Sequence, residues 1–171
     1  MADNRHQDLS GIWRIILKIE TEKKILSLNE MLCPAEIFVG EPAQKHDIDM
    51  LEAAVKREFS TTLPRQYIDF LYKFDGVASG GIFIYSSRPR KYPDSDGYSH
   101  DFVTLNQIVR EVDFMSGFLV FGESDQDEYV LDLLKERYQV RDKQAYDNVF
   151  EEFHCFDDLL DFMVNLITQR Y

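Results

Sequence analysis

The stretch "LPRQYIDFLYKFDG" (residues 63–76) contains signals for both ends of a short helix. Pro64 suits the first turn, where its missing N–H costs nothing. Gly76 follows the last apolar position and suits the left-handed conformation that often ends a helix. The apolar residues between them share one face at spacings of three and four: Tyr67, Phe70, Leu71 and Phe74. The stretch therefore predicts a core helix, with Asp69 and Lys73 paired on its outer side.

Two further helices are predicted on the N-terminal side of this stretch. The first covers residues 10–30, with Glu20 and Lys24 paired. Its broad apolar face is formed by Ile12, Ile15, Ile16, Ile19 and Leu26 and is widened by Leu17 and Ile25. The second covers residues 47–59, with Asp47 as N-cap and a buried side formed by Ile48, Leu51, Val55 and Phe59. Prolines and a glycine around residues 37–39 indicate a connection with a short extended piece.

The pattern changes to strands after Gly76. A β-rich run covers residues 82–85, and residues 88–100, with two prolines and a glycine, predict a surface loop. Thr104 and Gln107 suggest a capping box for a helix that carries Leu105, Ile108, Val109 and Val112. Residues 118–121 and 129–133 predict a hairpin around an acidic turn, and residues 137–143 another strand.

The C-terminal "FDDLLDFMVNLI" predicts a closing helix, because Asp157 and Asp158 suit its positive N-terminal end. Its inward side is predicted to consist of Leu159, Phe162, Met163 and Leu166. The element order favours a single α+β domain: an antiparallel sheet with helices packed mainly on one side. We expect residues 1–45 to form an N-terminal helical extension packed on a domain of residues 46–171.

Composition and charge restrict the possible functions. Hydrophobic residues make up 44% of the chain, which excludes a disordered protein. The net charge is −12, and residues 101–171 carry 16 acidic and 6 basic side chains, so they account for 10 of these 12 charges. Such a field repels nucleic acid and acidic membranes and attracts basic partners, although acidity also simply keeps a protein soluble.

The cysteine count and the hydropathy pattern predict a cytoplasmic protein. Cys33 and Cys155 are far apart in sequence and are expected to be free thiols. The N-terminal residues lack the apolar core of a signal peptide, and no apolar run approaches the roughly 20 residues of a membrane span.

Three motifs resemble the SUKH superfamily, which includes fungal cell-wall-assembly regulators and bacterial toxin-immunity proteins. "LPRQYIDFLYKFDG" is similar to its opening helix, "GFLVFGESDQDEYVLDL" to its central hairpin, and "CFDDLLDFMVNLI" to its closing helix. The chain departs from the usual pattern at Cys155 and Leu159, in a turn with a single glycine, and in the long segment before residue 45.

The resemblance implies a non-catalytic binding protein that neutralises a cognate toxin, often a nuclease, by direct contact. The resemblance does not identify individual contact residues, because family members bind different toxins through variable loops and a sheet cleft. An acidic inhibitor would be steered onto a basic nucleic-acid-binding cleft. The alternatives at this point are a regulatory adaptor without a toxin and, more distantly, a small hydrolase.

The sequence contains no recognisable catalytic or metal-binding motif. His6, His46, His100 and His154 lack metal-ligand spacing, and the acidic cluster at residues 123–132 lacks the glycine and the bidentate glutamate of a calcium loop. Walker, dinucleotide-binding and nucleophile-elbow motifs are absent. We therefore expect no catalytic residue, cofactor or metal. A pair of carboxylates that meets only in space stays open as a hydrolytic site.

The expected contact surface combines the acidic turn with the loop at residues 88–100. The three basic residues of that loop are too few for a nucleic-acid site in an acidic chain. We expect a protein partner, no nucleic acid or membrane partner, and a monomer or homodimer. The predicted partner-binding residues are Glu123, Asp125, Asp127, Glu128, Arg88, Arg90, Tyr92 and Tyr98.

Overall fold

A seven-stranded antiparallel sheet, with its strands in the same order in space as in sequence, forms the framework of the computed structural model, which describes residues 18–171. Its strands are β1 (Ile37–Val39), β2 (Val77–Ser79), β3 (Ile82–Ile84), β4 (Phe118–Glu123), β5 (Asp127–Asp132), β6 (Arg137–Asp142) and β7 (Val149–Phe153). The helices are α1 (Ile19–Met31), α2 (Lys45–Phe59), α3 (Arg65–Leu71), α4 (Phe102–Val109) and α5 (Phe156–Thr168). The predicted α+β class is confirmed.

The helices cover one face of this sheet around a cluster of aromatic rings. Phe121 lies at its centre, with ring centroids 4.9 Å from Tyr67 and 5.3 Å from both Phe102 and Phe156. These rings come from α3, α4 and α5, so the cluster joins three helices to the middle of the sheet. The register between β4 and β5 shifts next to Phe121, between Val120 and Gly122. Four consecutive residues of β4 around this bulge, 119–122, are buried.

Helix α3 confirms the core helix predicted from the opening stretch, but it is shorter than predicted. All four apolar residues of the predicted face are buried. The helix ends at Leu71, so Gly76 does not cap it; the positive φ of Gly76 instead turns the chain into β2. Lys73 therefore lies outside the helix and pairs with Glu22 of α1, while Asp69 pairs with Arg65.

The predictions for three other helices need correction at their faces and ends. In α1 the inward residues are Thr21, Ile25 and Leu28, so Ile25 is buried as predicted, whereas Ile19 and Leu26 are exposed. Residues 10–17 of that prediction lie outside the described part. Lys24 pairs with Asp161 of α5, not with Glu20. Gln44 caps α2, and Asp47 is the third residue of that helix. Asp101 caps α4, and Ile108 and Val112 are exposed.

The strand predictions are mostly confirmed. The hairpin β4–β5, strand β6 and the extended piece at β1 form as expected, and the closing helix α5 buries Leu159 and Met163 fully. The sequence analysis missed β2 and β7. Strand β2 is only three residues long, and four of the five residues of β7 are exposed, so neither shows the alternation that identifies a half-buried strand.

Replacing Phe121 by alanine tests the aromatic cluster. We expect Phe121→Ala to lower the free energy of unfolding by about 3–5 kcal/mol, because it leaves a cavity among three helices and the sheet. Phe150→Ala is the matched control, since its ring is 55% exposed on β7, and it should change stability by less than about 1 kcal/mol. Urea unfolding of both variants makes the comparison, and equal losses would contradict the assignment of Phe121 to the centre of the core.

Candidate functional site

A row of side chains crosses all seven strands on the face opposite the helices. Residues that lie directly opposite each other in neighbouring strands share a face of the sheet. The intervening residues point the other way; Tyr129, for example, contacts Phe162 of α5. We call the face that carries the row the open face. In spatial order the row consists of Phe38, Ala78, Phe83, Glu123, Glu128, Arg141 and Val149.

The apolar part of the row forms the floor of a groove. Phe38, Ala78 and Phe83 line a cavity of about 320 Å³, which we call the β1–β3 groove. One wall is formed by residues 92–95 of the predicted surface loop, where the Tyr92 ring contacts the Phe38 ring edge-on at 5.0 Å. The groove is thus an apolar concavity on the open face.

The loop at residues 88–100 is folded back on itself as an irregular hairpin. The Ser99 N–H donates to the Arg90 carbonyl at 2.8 Å, and the Tyr92 N–H donates to the Gly97 carbonyl at 3.0 Å. These bonds hold Tyr92 against Phe38. The loop therefore forms a fixed wall for the groove.

A buried carboxylate fastens this hairpin to the domain. Asp75 is fully buried and accepts hydrogen bonds from the Arg90 Nε at 2.7 Å, the Ser87 N–H at 2.6 Å and the Ser87 hydroxyl at 2.8 Å. Arg90 also donates to Asp47 at 3.0 Å, and Arg88 donates to the other oxygen of Asp47 at 2.9 Å. Charge-assisted bonds of this kind are the strongest in proteins, so they fix the base of the loop.

The middle of the row is acidic, and Lys143 and His100 contact its carboxylate Glu123. Glu123 contacts the Lys143 ammonium, and the His100 Nδ1 lies 3.0 Å from its other oxygen. Burial would raise the pKa of Glu123, but the contacts with His100 and Lys143 outweigh it and lower the pKa to about 2. His100 also stacks on Phe83 at 4.3 Å. His100 therefore joins the loop at residues 88–100 to the acidic turn.

The far end of the row is covered by residues 143–148. The Arg141 guanidinium lies 4.6 Å from the Phe118 ring and 5.2 Å from the Tyr146 ring, and it donates to the Tyr146 carbonyl at 2.8 Å. Burial raises the pKa of the neighbouring Glu128, and Lys143 partly offsets the effect. The β1–β3 groove with its acidic border and the exposed strand β7 at the far edge are therefore the parts of the open face that a partner can reach.

The structure separates the predicted site residues into two groups. Asp125 and Tyr98 are exposed, and Asp127 and Glu128 are partly buried at the start of β5. Arg88, Arg90 and Tyr92 make contacts within the chain, as described above, so they position the loop. The sequence analysis missed the floor residues Phe38, Ala78 and Phe83, because only the strand register places them side by side.

Metal-binding and membrane-spanning arrangements are lacking across residues 18–171. No group of three or more His, Cys, Asp or Glu side chains there is placed to hold a metal ion. None of the helices in the same range combines the length and the apolarity needed to cross a bilayer. The site is therefore described by surface shape and charge alone.

The comparison with protein families identifies the chain. The profile of the SMI1 / KNR4 family (SUKH-1) matches residues 42–163, which is more than half of the sequence. The chain belongs to the SMI1 / KNR4 family (SUKH-1). The resemblance predicted from the three motifs is therefore confirmed. A comparison with curated proteins found no significant match.

SUKH-1 membership bears on the chemistry expected of the site. Domains of this family generally act through contacts with other proteins and are generally non-catalytic. In this SUKH-1 chain the match extends from before α2 into α5, so it includes the groove wall, the acidic turn and Asp75.

Replacing Asp75 by asparagine tests the attachment of the loop. We expect Asp75→Asn to lower the free energy of unfolding by about 3 kcal/mol, because it leaves the Arg90 charge poorly compensated in a buried setting. Asp96→Asn at the exposed loop tip is the matched control and should cost less than about 0.5 kcal/mol. Urea unfolding measures both, and an Asp75→Asn variant as stable as the control would contradict the role given to Asp75.

The lowered pKa of Glu123 predicts a specific pH dependence. A carboxyl group whose pKa is lower in the folded state adds stability above its unfolded pKa of about 4.5, and this stability is lost as the pH falls towards 2. Glu123→Gln should therefore lose less stability than the parent protein between pH 4.5 and pH 2. Urea unfolding at several pH values makes this test, and parallel stability curves for the two proteins would contradict it.

Proposed function

We propose that this SUKH-1 protein is an immunity protein that neutralises a cognate bacterial toxin by direct binding. The observation that carries the proposal is the open face, where an apolar groove borders a cluster of carboxylates. Apolar contact area surrounded by charge is the usual composition of a protein-binding surface. The helices occupy the other face, so the open face is the side of the sheet that a partner can contact.

The charge of the chain supports a basic partner. The net charge is −12, and Asp125 lies exposed at the tip of the β4–β5 hairpin beside the groove. A basic toxin domain, such as that of a nuclease, would be attracted by this field, and its nucleic-acid-binding surface would be covered in the complex. Asp125, Asp127 and Tyr98 are the proposed direct contacts, with Arg88, Arg90 and Tyr92 holding the loop in place.

Capture of the partner tests the proposal. The protein is tagged at its N-terminus, because the Tyr171 hydroxyl lies 3.1 Å from Ser79 and a C-terminal tag would sit beside the groove. We expect one basic protein to co-purify in stoichiometric amount at moderate salt. Expression of that protein alone should arrest cell growth, and co-expression with the immunity protein should restore it. Capture of a protein without toxicity would favour a regulatory adaptor.

Charge reversal at the hairpin tip tests the docking surface. We expect the double variant Asp125→Lys and Asp127→Lys to weaken toxin binding about tenfold, mainly through slower association, with a smaller effect at high salt. The double variant Glu111→Lys and Asp113→Lys is the matched control, since it makes the same change in net charge at two exposed acids between α4 and β4. Association rates at two salt concentrations distinguish the variants, and equal rates for both would contradict docking at the acidic turn.

A further inference from the structure

The β1–β3 groove has a consistent chemistry along its length. Its floor and walls are formed largely by aromatic, proline and alanine side chains and by glycine backbone. Two carboxylates, Glu36 and Asp94, line it, and among residues 18–171 no lysine or arginine does. Its volume of about 320 Å³ is at the small end of the range for ligand pockets, so it fits one or two large side chains rather than a whole cofactor.

The groove is bordered by further negative charge at one end. The β2–β3 turn, Gly80 and Gly81, has positive φ at both residues, which is the backbone of the tightest hairpin turns. The Asp125 carboxylate lies close to Gly81, about 4 Å from the position that a Cβ on this residue would take. Arg170, the nearby cation, contacts the turn but does not line the groove.

The groove is also formed in advance of any binding. Its floor consists of paired strands, and its wall is held by the bonds of Arg90 to Asp75 and of Tyr92 to Gly97. A preformed pocket needs no ordering of its own residues when a ligand enters, and this lowers the free-energy cost of association. The combination of a fixed apolar pocket and acidic edges is suited to a short anchor segment.

We propose that the β1–β3 groove receives a large apolar side chain from a partner segment that carries lysine or arginine on both sides of it. The apolar side chain lies on Phe38, Ala78 and Phe83, and the flanking cations face Glu36, Asp94 and Asp125. Charge complementarity selects this occupant over an acidic segment. A second copy of the chain is disfavoured, because each copy carries a net charge of −12. The inference rests on the proposed function and names the element that the partner presents.

Short peptides test the inference without the toxin. The probe KGWGK, amidated and acetylated, is titrated into the ¹⁵N-labelled full chain, and KGAGK and EGWGE serve as matched peptides. We expect KGWGK to shift the amide resonances of Ala78, Gly80 and Gly81 with a dissociation constant in the millimolar range, as is usual for a single anchor. The two matched peptides should bind at least about tenfold more weakly, because each lacks one half of the recognition chemistry.

A groove-filling variant provides the second arm. Ala78→Leu adds an apolar side chain to the floor and should weaken KGWGK binding about tenfold. Ala53→Leu makes the same change on the exposed side of α2 and should bind the peptide as the parent does. The amide spectra of both variants report whether they keep the fold. If the spectrum shows that Ala78→Leu disrupts the fold, the milder variant Ala78→Val is titrated instead.

Several outcomes would overturn the inference. They are resonance shifts confined to another surface, binding of EGWGE as tight as that of KGWGK, and an affinity of Ala78→Leu for KGWGK equal to that of the parent. Resonance shifts at the groove that depend on protein concentration in the absence of peptide would instead assign the groove to a second copy of the chain. The toxin assay separates this inference from the proposed function. Full neutralisation of the toxin by Ala78→Leu would support the immunity function and contradict the role of the groove. Binding of KGWGK in the groove without any toxin partner would support the groove and contradict the immunity function.

Discussion

The buried ion pair between Asp75 and Arg90 is the contact on which the candidate site depends. Asp75 lies just before the glycine that turns the chain into β2, and Arg90 lies at the base of the loop that walls the groove. A buried carboxylate is stable only when charge and hydrogen bonds compensate it, and Arg90 and Ser87 supply both. The pair thus joins the helical layer to the loop on the open face, and it holds Tyr92 against Phe38.

The two faces of the sheet have different roles: one is packed against the helices, and the other carries the candidate site. An antiparallel sheet is stable with one face covered, so five helices and a cluster of aromatic rings supply the stability on one side. The other face carries a row of side chains that changes from apolar to acidic to a buried arginine. This division separates the aromatic cluster that stabilises the fold from the groove that is open to a partner.

The acidic turn and the loop at residues 88–100 were identifiable from sequence, because charge density, prolines and glycine are local signals. The roles within them were not. Arg88 and Arg90 look like a basic patch in the sequence, yet both are engaged by Asp47, which lies more than forty positions earlier in the chain. The groove floor gave no signal, because Phe38, Ala78 and Phe83 come from strands of three residues, too short for alternation to be recognised.

The sequence by itself determined the α+β class, the core faces of α2 and α3, the central hairpin and the family. These follow from side-chain periodicity, from turn residues and from three motifs in order, all of which act over a few residues. Only the tertiary structure decided which face of α1 is buried, which acids are paired and which residues form the open face. Those features depend on strand register and on contacts between distant segments, such as Lys24 with Asp161 and Lys143 with Glu123. Burial and compensation of charge are properties of the packed chain, so local sequence does not encode them.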